Sequence, residues 1–281
     1  MKLCRVGPPG QEKPAIVDQE GRLRDLSGVV TDIDSSIVTR ERLAALAATP
    51  LESLPLVSGQ PRYGVPVASP SKFICIGLNY TEHAAEGNFP LPSEPIIFLK
   101  ANSAIVGPDD DIMQPIGSTK LDWEIELGVV IGEKARNVSK EAALDYVAGY
   151  CIVNDVSERA FQMQSSQWDK GKGCDTFGPT GPWLVTTDEI PDPQALGMKL
   201  SVNGKSMQNG VTKTMIFDVR TIISYASRYM TLMPGDIIAT GTPSGVGLGK
   251  KPEPIWLQPG DVVELSIDGL GKQRQKVVPY R

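Results

Sequence analysis

The sequence lacks the features that mark membrane and secreted proteins. No window approaches the roughly 18 to 20 uninterrupted apolar residues of a membrane span, and the N-terminal stretch MKLCRVGPPGQEKP has no apolar core typical of a signal peptide. We therefore expect no contact with a membrane and a cytoplasmic location.

Paired cysteines and basic clusters are also missing. The four cysteines are scattered without a C-x-x-C pair, which favours free thiols in a reducing compartment over disulfides or a thiolate metal site. The net charge is -5 and no cluster of lysine or arginine occurs, whereas a nucleic-acid-binding surface concentrates positive charge. We expect a small-molecule ligand and no nucleic-acid partner.

The N-terminal quarter of the chain indicates a small β/α domain. Two β-like pieces, KLCRVG and PAIVDQEGRLRDL, the second with a turn at residues 19–21, precede a predicted helix TRERLAALAAT with Thr39 as its N-cap. The segment SGQPRYGVPVASPSK is rich in Gly, Pro and Ser and has no sustained period, as expected of a linker. The predicted division is a small domain with its linker over residues 1–68 and a catalytic domain over residues 69–281.

The larger part alternates short strand-like runs with turns. The runs are FICIGLNY, PIIFLK, WEIELGVVIG, GYCIVNDV, PWLVT, KLSVNG, GDIIATG and DVVELSID. Helices are predicted only for SKEAALDYVAG, for VRTIISYASRYM and for a short segment near His83. This pattern favours a β-rich α+β fold built on a mixed β-roll or barrel, because a doubly wound sheet would place a helix between nearly all its strands.

The run KLDWEIELGVVIG places two carboxylates, Glu124 and Glu126, on one face of a predicted strand. An arbitrary E-x-E is usually a solvated strand edge. Here the following LGVVIG is apolar on both faces, as in an interior strand, and a buried pair of like charges is unfavourable without a cation. The pair therefore indicates a divalent metal.

A third oxygen ligand is available at Asp155, which ends the apolar run GYCIVN. Three carboxylates without histidine or thiolate form a hard-oxygen set, and such a set favours Mg²⁺, Mn²⁺ or Ca²⁺ over zinc. Glu124, Glu126 and Asp155 are the predicted metal ligands.

The only histidine, His83, precedes Glu86 by three residues in GLNYTEHAAEG. On a helical turn the two side chains share a face, so the carboxylate can orient the imidazole and raise its basicity. A surface histidine beside a glutamate is the equally common alternative. The segment matches no H-E-x-x-H pattern, and His83 is not assigned to a metal.

Two further segments contain polar groups suited to an anion. WDKGKGCDTFGPTGPW carries lysines in a predicted loop, where an ammonium could stabilise developing negative charge or remain solvated. ATGTPSGVG follows the strand GDIIA and is typical of an anion-binding turn with a hydroxyl at Thr242, although it matches neither a Walker A loop nor a dinucleotide fingerprint. A glycine-rich turn can also have a purely conformational reason.

Taken together, five segments resemble the fumarylacetoacetate hydrolase family. They are GLNYTEHAAE, DWEIELGVVIG, VNDVSERAFQ, KGKGCDTFGPTGPW and GDIIATGTPSGVG, in the order found in the family and over roughly residues 70 to 281. The resemblance implies the family's mixed β-roll, a homodimer and a Mg²⁺ or Mn²⁺ on Glu124, Glu126 and Asp155. It also implies substrate contacts from Arg159, Gln162, Lys172 and Thr242, and a water-activating dyad of His83 and Glu86 on a segment that orders over bound ligand.

The N-terminal GQEKPAIVDQEGRLRDLSG resembles the bacterial subgroup that cleaves 2,4-diketo-3-deoxy sugar acids such as those from L-rhamnonate or L-fuconate. The expected reaction is metal-dependent hydrolysis of the C3–C4 bond of an acylpyruvate to pyruvate and a carboxylic acid, with His83, Glu86 and Lys172 as catalytic residues. The alternatives are a lyase or decarboxylase, acting on oxaloacetate or ureidoglycolate, or an isomerase of the same family. A non-catalytic binder of oxo acids is the alternative outside enzymes, and the His83/Glu86 pair argues against it because chelation needs no base.

Overall fold

The computed structural model describes residues 1–281 and is dominated by β-strands. The strands are β1 (Lys2–Val6), β2 (Lys13–Val17), β3 (Leu23–Asp25), β4 (Phe73–Gly77), β5 (Ile96–Lys100), β6 (Ile105–Val106), β7 (Ile112–Gln114), β8 (Leu121–Asp122), β9 (Ile125–Ile131), β10 (Val147–Asn154), β11 (Ser157–Glu158), β12 (Gly178–Thr186), β13 (Gly197–Val202), β14 (Lys205–Val211), β15 (Ile237–Ala239), β16 (Val262–Ile267) and β17 (Gly271–Pro279). The α-helices are α1 (Arg40–Ala47), α2 (Thr81–Glu86), α3 (Arg159–Gln162), α4 (Asp169–Lys172) and α5 (Val219–Tyr229).

A ten-stranded mixed sheet forms the centre of the molecule. Its strands follow the order β3-β2-β1-β12-β10-β9-β15-β4-β5, and β6 pairs with β12 beside this path. The central strands β9 and β10 are buried along their whole lengths, which agrees with their apolar sequences. A polar residue at the end of either strand is therefore held by a rigid, water-excluding frame.

A second sheet covers the first with the order β14-β13-β16-β17-β7, and β8 and β11 form a separate two-stranded ladder. In the five-stranded sheet, buried and exposed residues alternate along the strands, as β16 and β17 illustrate. One face of this sheet therefore packs inward and the other faces solvent. The expected β-rich α+β fold with mixed sheets is confirmed.

The N-terminal segment joins the central sheet. β1 pairs with β2 on one side and with β12 on the other, so it links the N-terminal strands to the strands of the larger part of the chain. A cluster of 18 buried apolar residues combines Leu3 and Ile16 with Phe73 and Leu184. The division between residues 68 and 69 stays a prediction, but the two parts share one sheet and one core cluster.

Most of the predicted elements are present, with two corrections. Helix α1 begins after Thr39, whose side chain accepts a hydrogen bond from the Arg42 amide, and α5 coincides with VRTIISYASRYM. The helix predicted for SKEAALDYVAG is wrong, because only Ala143–Tyr146 form a 3₁₀ turn and β10 begins at Val147. Pairing of β10 with β9 in the core outweighs the local helix propensity of Glu, Ala and Leu.

The second correction concerns Lys172, which lies at the end of the short helix α4 where a loop was predicted.

None of the α-helices has both the length and the apolar composition needed to cross a bilayer.

Candidate active site

Three carboxylates meet where β9 begins and β10 ends. The antiparallel register pairs Ile125 with Asn154, and the ladder continues one step further, where the Asp155 amide donates to the Glu124 carbonyl at 2.9 Å. Glu126 is on the same side of β9 as Glu124 because strand side chains alternate. One oxygen from each of Glu124, Glu126 and Asp155 lies within 4.8 Å of the other two, and all three residues are buried.

Cationic side chains surround two of these carboxylates. The Lys172 Nζ is 2.7 Å from both Glu124 Oε2 and Asp155 Oδ2. Lys100, which ends β5, places its Nζ 2.5 Å from Asp155 Oδ1, and Arg159 places Nη2 2.6 Å from Glu124 Oε1. Glu124 and Asp155 are therefore each paired with two cationic side chains.

Glu126 has a different environment, since no cation of the chain pairs with it. Its carboxylate accepts one hydrogen bond, from the Gly241 amide at 2.7 Å. Burial raises the pKa of Glu126 well above its usual range, and the neighbouring Asp155 and Glu124 raise it further. Of the three carboxylates, Glu126 is thus the one whose charged form the chain leaves without a paired cation.

The opposite shift occurs at Glu124. Burial disfavours its charged form, but contact with Lys172 and Arg159 holds the pKa of Glu124 well below its usual range. Burial likewise acts against the charged ammonium of Lys172, and the charges of Asp155 and Glu124 outweigh it and raise the Lys172 pKa.

The donor set fits a hard divalent cation. Four buried carboxylates face only three buried cations around this point: Asp122, Glu124, Glu126 and Asp155 against Lys100, Arg159 and Lys172. The unbalanced group is Glu126, and its neighbours in the triad offer oxygen only, which suits Mg²⁺ or Mn²⁺ better than zinc. A divalent ion would restore the missing positive charge at the place where the chain lacks it.

Helix α3 supplies two of the four residues predicted to contact substrate. Arg159 and Gln162 are three residues apart and share a helix face, and Arg159 Nη1 donates to Gln162 Oε1 at 3.0 Å. Both side chains are buried and line the cavity above the triad. Their donors can therefore bind an anionic group that enters beside the metal ligands.

His83 and Glu86 form the expected pair on helix α2. His83 Nδ1 lies 2.8 Å from Glu86 Oε1, and the same carboxylate accepts hydrogen bonds from the Gly245 amide at 2.8 and 3.1 Å. In the neutral tautomer whose Nδ1–H donates to this carboxylate, Nε2 carries the lone pair, and His83 lines the cavity. The alternative of a surface histidine is excluded, because His83 is only 7% exposed.

The glycine-rich turn after β15 binds anions, but these anions belong to the protein. Its backbone amides at Gly241, Gly245 and Gly247 donate to Glu126, Glu86 and Asp122. The positive φ of 99° at Gly241 and 108° at Gly245 explains two of the glycines. The turn thus fixes carboxylates on three elements, α2, β8 and β9.

The hydroxyl of Thr242, in this turn, is already engaged. It donates to the Ile125 carbonyl at 2.8 Å and accepts from Gln208 Nε2 at 2.8 Å. The backbone N–H of Thr242 donates to no protein acceptor. Thr242 therefore lines the cavity with a backbone N–H that no other group of the protein uses.

One cavity brings together all nine predicted site residues. They are His83, Glu86, Glu124, Glu126, Asp155, Arg159, Gln162, Lys172 and Thr242. Apolar side chains complete the wall, among them Phe89, Phe98, Trp168 and Leu248. The cavity thus combines a carboxylate cluster, anion-binding donors and a candidate base.

Sequence reasoning missed two residues of this site, Lys100 and Asp122. Lys100 is buried against Asp155, and Asp122 accepts from Arg159 Nε at 2.8 Å. A signal for Asp122 was available, since it lies two residues before Glu124 on the same face. Lys100 ends the apolar run PIIFLK, but nothing local indicates its partner.

Comparisons with known proteins agree with this arrangement. The family model described as Fumarylacetoacetate (FAA) hydrolase C-terminal matches residues 72–278. A protein of Sphingomonas sp. (strain SKA58) named 2,4-didehydro-3-deoxy-L-rhamnonate hydrolase is 58% identical over 282 residues, covering 100% of this chain and 97% of the relative.

Solved structures are similar over the whole chain. A fumarylacetoacetate hydrolase from Exiguobacterium antarcticum superposes with a TM-score of 0.87 at 36% identity and covers 100% of both chains. A maleylpyruvate hydrolase from Sphingobium sp. SYK-6, in complex with manganese(II) and pyruvate, gives a TM-score of 0.83 at 30% identity, again with 100% of both chains covered.

Proposed function

The chain belongs to the fumarylacetoacetate hydrolase family, and we propose that it is a metal-dependent hydrolase that cleaves the C3–C4 bond of a 2,4-diketo acid. The observation that supports hydrolysis most directly is the His83–Glu86 pair, which faces the same cavity as the carboxylate triad. A site that only chelated an oxo acid would need the triad but no base.

The proposed ligands of the metal are Glu124, Glu126 and Asp155. A divalent cation held there would supply Lewis-acid stabilisation for the negative charge that C–C cleavage leaves on the 2-oxo fragment. Mn²⁺ and pyruvate together in the maleylpyruvate hydrolase structure support a 2-oxo acid as the ligand class.

In the proposed reaction His83 acts as the general base. Its Nε2 takes a proton from water, and Glu86, fixed by the Gly245 amide, stabilises the resulting imidazolium through Nδ1. The hydroxide attacks the C4 carbonyl carbon, and the C3–C4 bond then breaks with its electron pair moving to C3. The proton held by His83 is then transferred to C3, which completes pyruvate, and C4 leaves as a carboxylic acid.

The remaining polar residues bind and orient the substrate. Arg159 and Gln162 provide donors for the substrate carboxylate and oxo oxygens, together with the free N–H of Thr242. Lys172 keeps a positive charge in the cavity, because its raised pKa holds it protonated, and so stabilises negative charge that develops on substrate oxygen.

Within this class, the substrate that we favour is a 2,4-diketo-3-deoxy sugar acid. The relative named 2,4-didehydro-3-deoxy-L-rhamnonate hydrolase is 58% identical over the whole chain, which supports the same substrate type here.

The test is a product assay with Mg²⁺ or Mn²⁺ across acylpyruvates, diketo-deoxy sugar acids, oxaloacetate and ureidoglycolate. We expect equimolar pyruvate and carboxylic acid from the diketo acids, and fastest turnover for a diketo sugar acid. If oxaloacetate alone were turned over, with release of CO₂, the proposed hydrolase activity would be wrong and the protein would be a decarboxylase.

A further inference from the structure

Asp122 is a buried carboxylate that belongs to neither the metal triad nor the dyad. It is 0% exposed, and its two oxygens accept four hydrogen bonds. Oδ1 accepts from the Trp123 and Gly247 amides at 2.9 and 2.6 Å, and Oδ2 accepts from Arg159 Nε at 2.8 Å and from the Leu248 amide at 3.1 Å. Both oxygens of Asp122 therefore act as acceptors for donors of the protein itself.

One partner of Asp122 is the guanidinium at the anion-binding end of the cavity. Arg159 uses Nε for Asp122, Nη1 for Gln162 and Nη2 for Glu124. These contacts come from three directions and fix the plane of the group, which leaves one N–H on each terminal nitrogen for a ligand. Without the contact to Nε, rotation about the long side chain would no longer be blocked on that side.

The other partners lie in the segment Gly245–Gly249, which supports the dyad. The Gly245 amide holds Glu86, and a Cβ on Gly249 would lie 2.4 Å from the Glu86 carboxyl carbon, so backbone and carboxylate are in close contact. Asp122 fastens the middle of this segment through Gly247 and Leu248. A Cβ on Gly247 would come within 2.7 Å of Asp122 Oδ1, so the approach requires glycine.

We propose that Asp122 is a positioning residue that holds Arg159 and the Gly245–Gly249 segment in one fixed relation. It thereby sets the distance between the anion-binding end of the cavity and the His83–Glu86 base. This role rests on the proposed function, because it assigns the two ends their parts in the same reaction. Asp122 itself does not line the cavity.

The test uses Asp122→Asn, which preserves size but turns an NH₂ group toward two donors, Arg159 Nε and the Leu248 amide. Displacement of catalytic groups by about 1 Å can lower the rate about 10²-fold, and we expect a loss of that order in kcat/KM for a diketo acid. Two effects should contribute to this loss in kcat/KM. Displacement of Arg159 should weaken binding, and displacement of Glu86 should lower kcat. Binding is measured with oxalate in the presence of Mn²⁺, and hydrogen exchange reports on residues 245–249.

Asp236→Asn is the matched control. Asp236 is also 0% exposed and accepts from the Lys72 and Met233 amides, but it does not line the cavity and contacts none of the site residues. We expect both variants to lower the melting temperature, and only Asp122→Asn to weaken oxalate binding and to speed exchange at Gly247 and Leu248.

A double-mutant cycle with Arg159→Lys tests whether Asp122 affects oxalate binding through its contact with Arg159. Lysine cannot reproduce the Nε contact, so Asp122→Asn should weaken oxalate binding less in that background than in the wild type. Should Asp122→Asn fail to fold, Asp122→Ser, which is smaller and keeps an acceptor, is measured in its place.

Wild-type oxalate affinity and wild-type exchange at residues 247–248 in Asp122→Asn would overturn the proposal and leave Asp122 with a stability role only. Neither measurement requires turnover. A wild-type protein that cleaves no diketo acid would therefore refute the proposed function and still leave the position of Asp122 testable.

Discussion

At the residue scale, we assign charge stabilisation and proton transfer to two different groups of residues in one cavity. In the proposed reaction, the carboxylate triad with Lys172 and Arg159 forms the charged end, and His83 with Glu86 forms the proton-transfer end. Since both hydrolysis and decarboxylation leave charge on C3, they share the first end and differ only in their need for the second.

His83→Ala should therefore separate the two reactions. Only hydrolysis needs a base to generate the nucleophile, a contribution of about 10² to 10⁴ in rate, so diketo-acid cleavage should fall by that factor. Any oxaloacetate decarboxylation by the wild type should fall far less. The measurement is kcat/KM for both substrates, with Glu126→Ala as the control that loses both activities. Equal losses for the two substrates would make His83 a positioning residue.

Glu126→Gln should reveal the unbalanced charge in metal-free protein. Burial, Asp155 and Glu124 raise the Glu126 pKa, so the folded state binds a proton more tightly than the unfolded chain. Stability from this group is complete below the ordinary glutamate pKa and is lost as pH rises toward the raised value.

The side chain in Glu126→Gln does not ionise. The urea concentration at the midpoint of unfolding, measured in EDTA, should therefore fall less for this variant than for the wild type as pH rises from about 5 to about 8. Added Mn²⁺ should stabilise the wild type and leave Glu126→Gln unchanged. Identical pH slopes for the two proteins would show that Glu126 titrates normally.

At the scale of elements, the dyad lies on one short helix of the cavity wall. Helix α2 spans only Thr81–Glu86, ends at Gly87 and is tied to the rest of the site through Glu86 and Gly245. The triad, in contrast, lies on central strands that are buried along their whole lengths. Motion on ligand binding is therefore expected at the dyad and not at the triad.

Hydrogen exchange tests this difference. Residues 83–92 should exchange faster without ligand and become protected when pyruvate or oxalate is added with Mg²⁺, because closure over the ligand excludes water. Helix α5 is the internal reference, since it is longer, has a side-chain N-cap at Asp218 and does not line the cavity. Unchanged protection at 83–92 on ligand addition would mean that this wall is preformed.

At the scale of the whole molecule, the N-terminal part is joined to the catalytic part by strand pairing. β1 lies between β2 and β12, and one buried cluster contains Leu3 and Ile16 together with Phe73 and Leu184. Removal of residues 1–68 would expose both the edge of β12 and the apolar side of this cluster.

A fragment of residues 69–281 should consequently be insoluble or unfold well below the full chain, as measured by soluble yield and thermal unfolding. A fragment that melts cooperatively near the temperature of the full chain would instead make residues 1–68 a separable domain.

We also propose that the chain forms a homodimer, as the family resemblance implies. Light scattering coupled to size exclusion should give twice the chain mass. Glu126→Gln should give the same mass, because the triad lies inside one chain. A monomer at micromolar concentration would contradict the proposal.

The sequence by itself determined whatever depends on near neighbours. Alternation placed Glu124 and Glu126 on one face, and helical spacing joined His83 to Glu86. Apolar runs located the central strands, and Thr39 marked the start of α1. These inferences held because each depends on residues within one element.

Only the tertiary structure decided which separate segments meet. The β9–β10 register brought Asp155 beside Glu124, and the segment after β15 supplied amides to Glu86, 159 residues away, and to Asp122, 125 residues away. The same β9–β10 pairing turned the predicted helix before β10 into a short 3₁₀ turn. Local preferences are small and cannot specify such partners, because partner choice follows from the burial and hydrogen bonding of the whole chain at once.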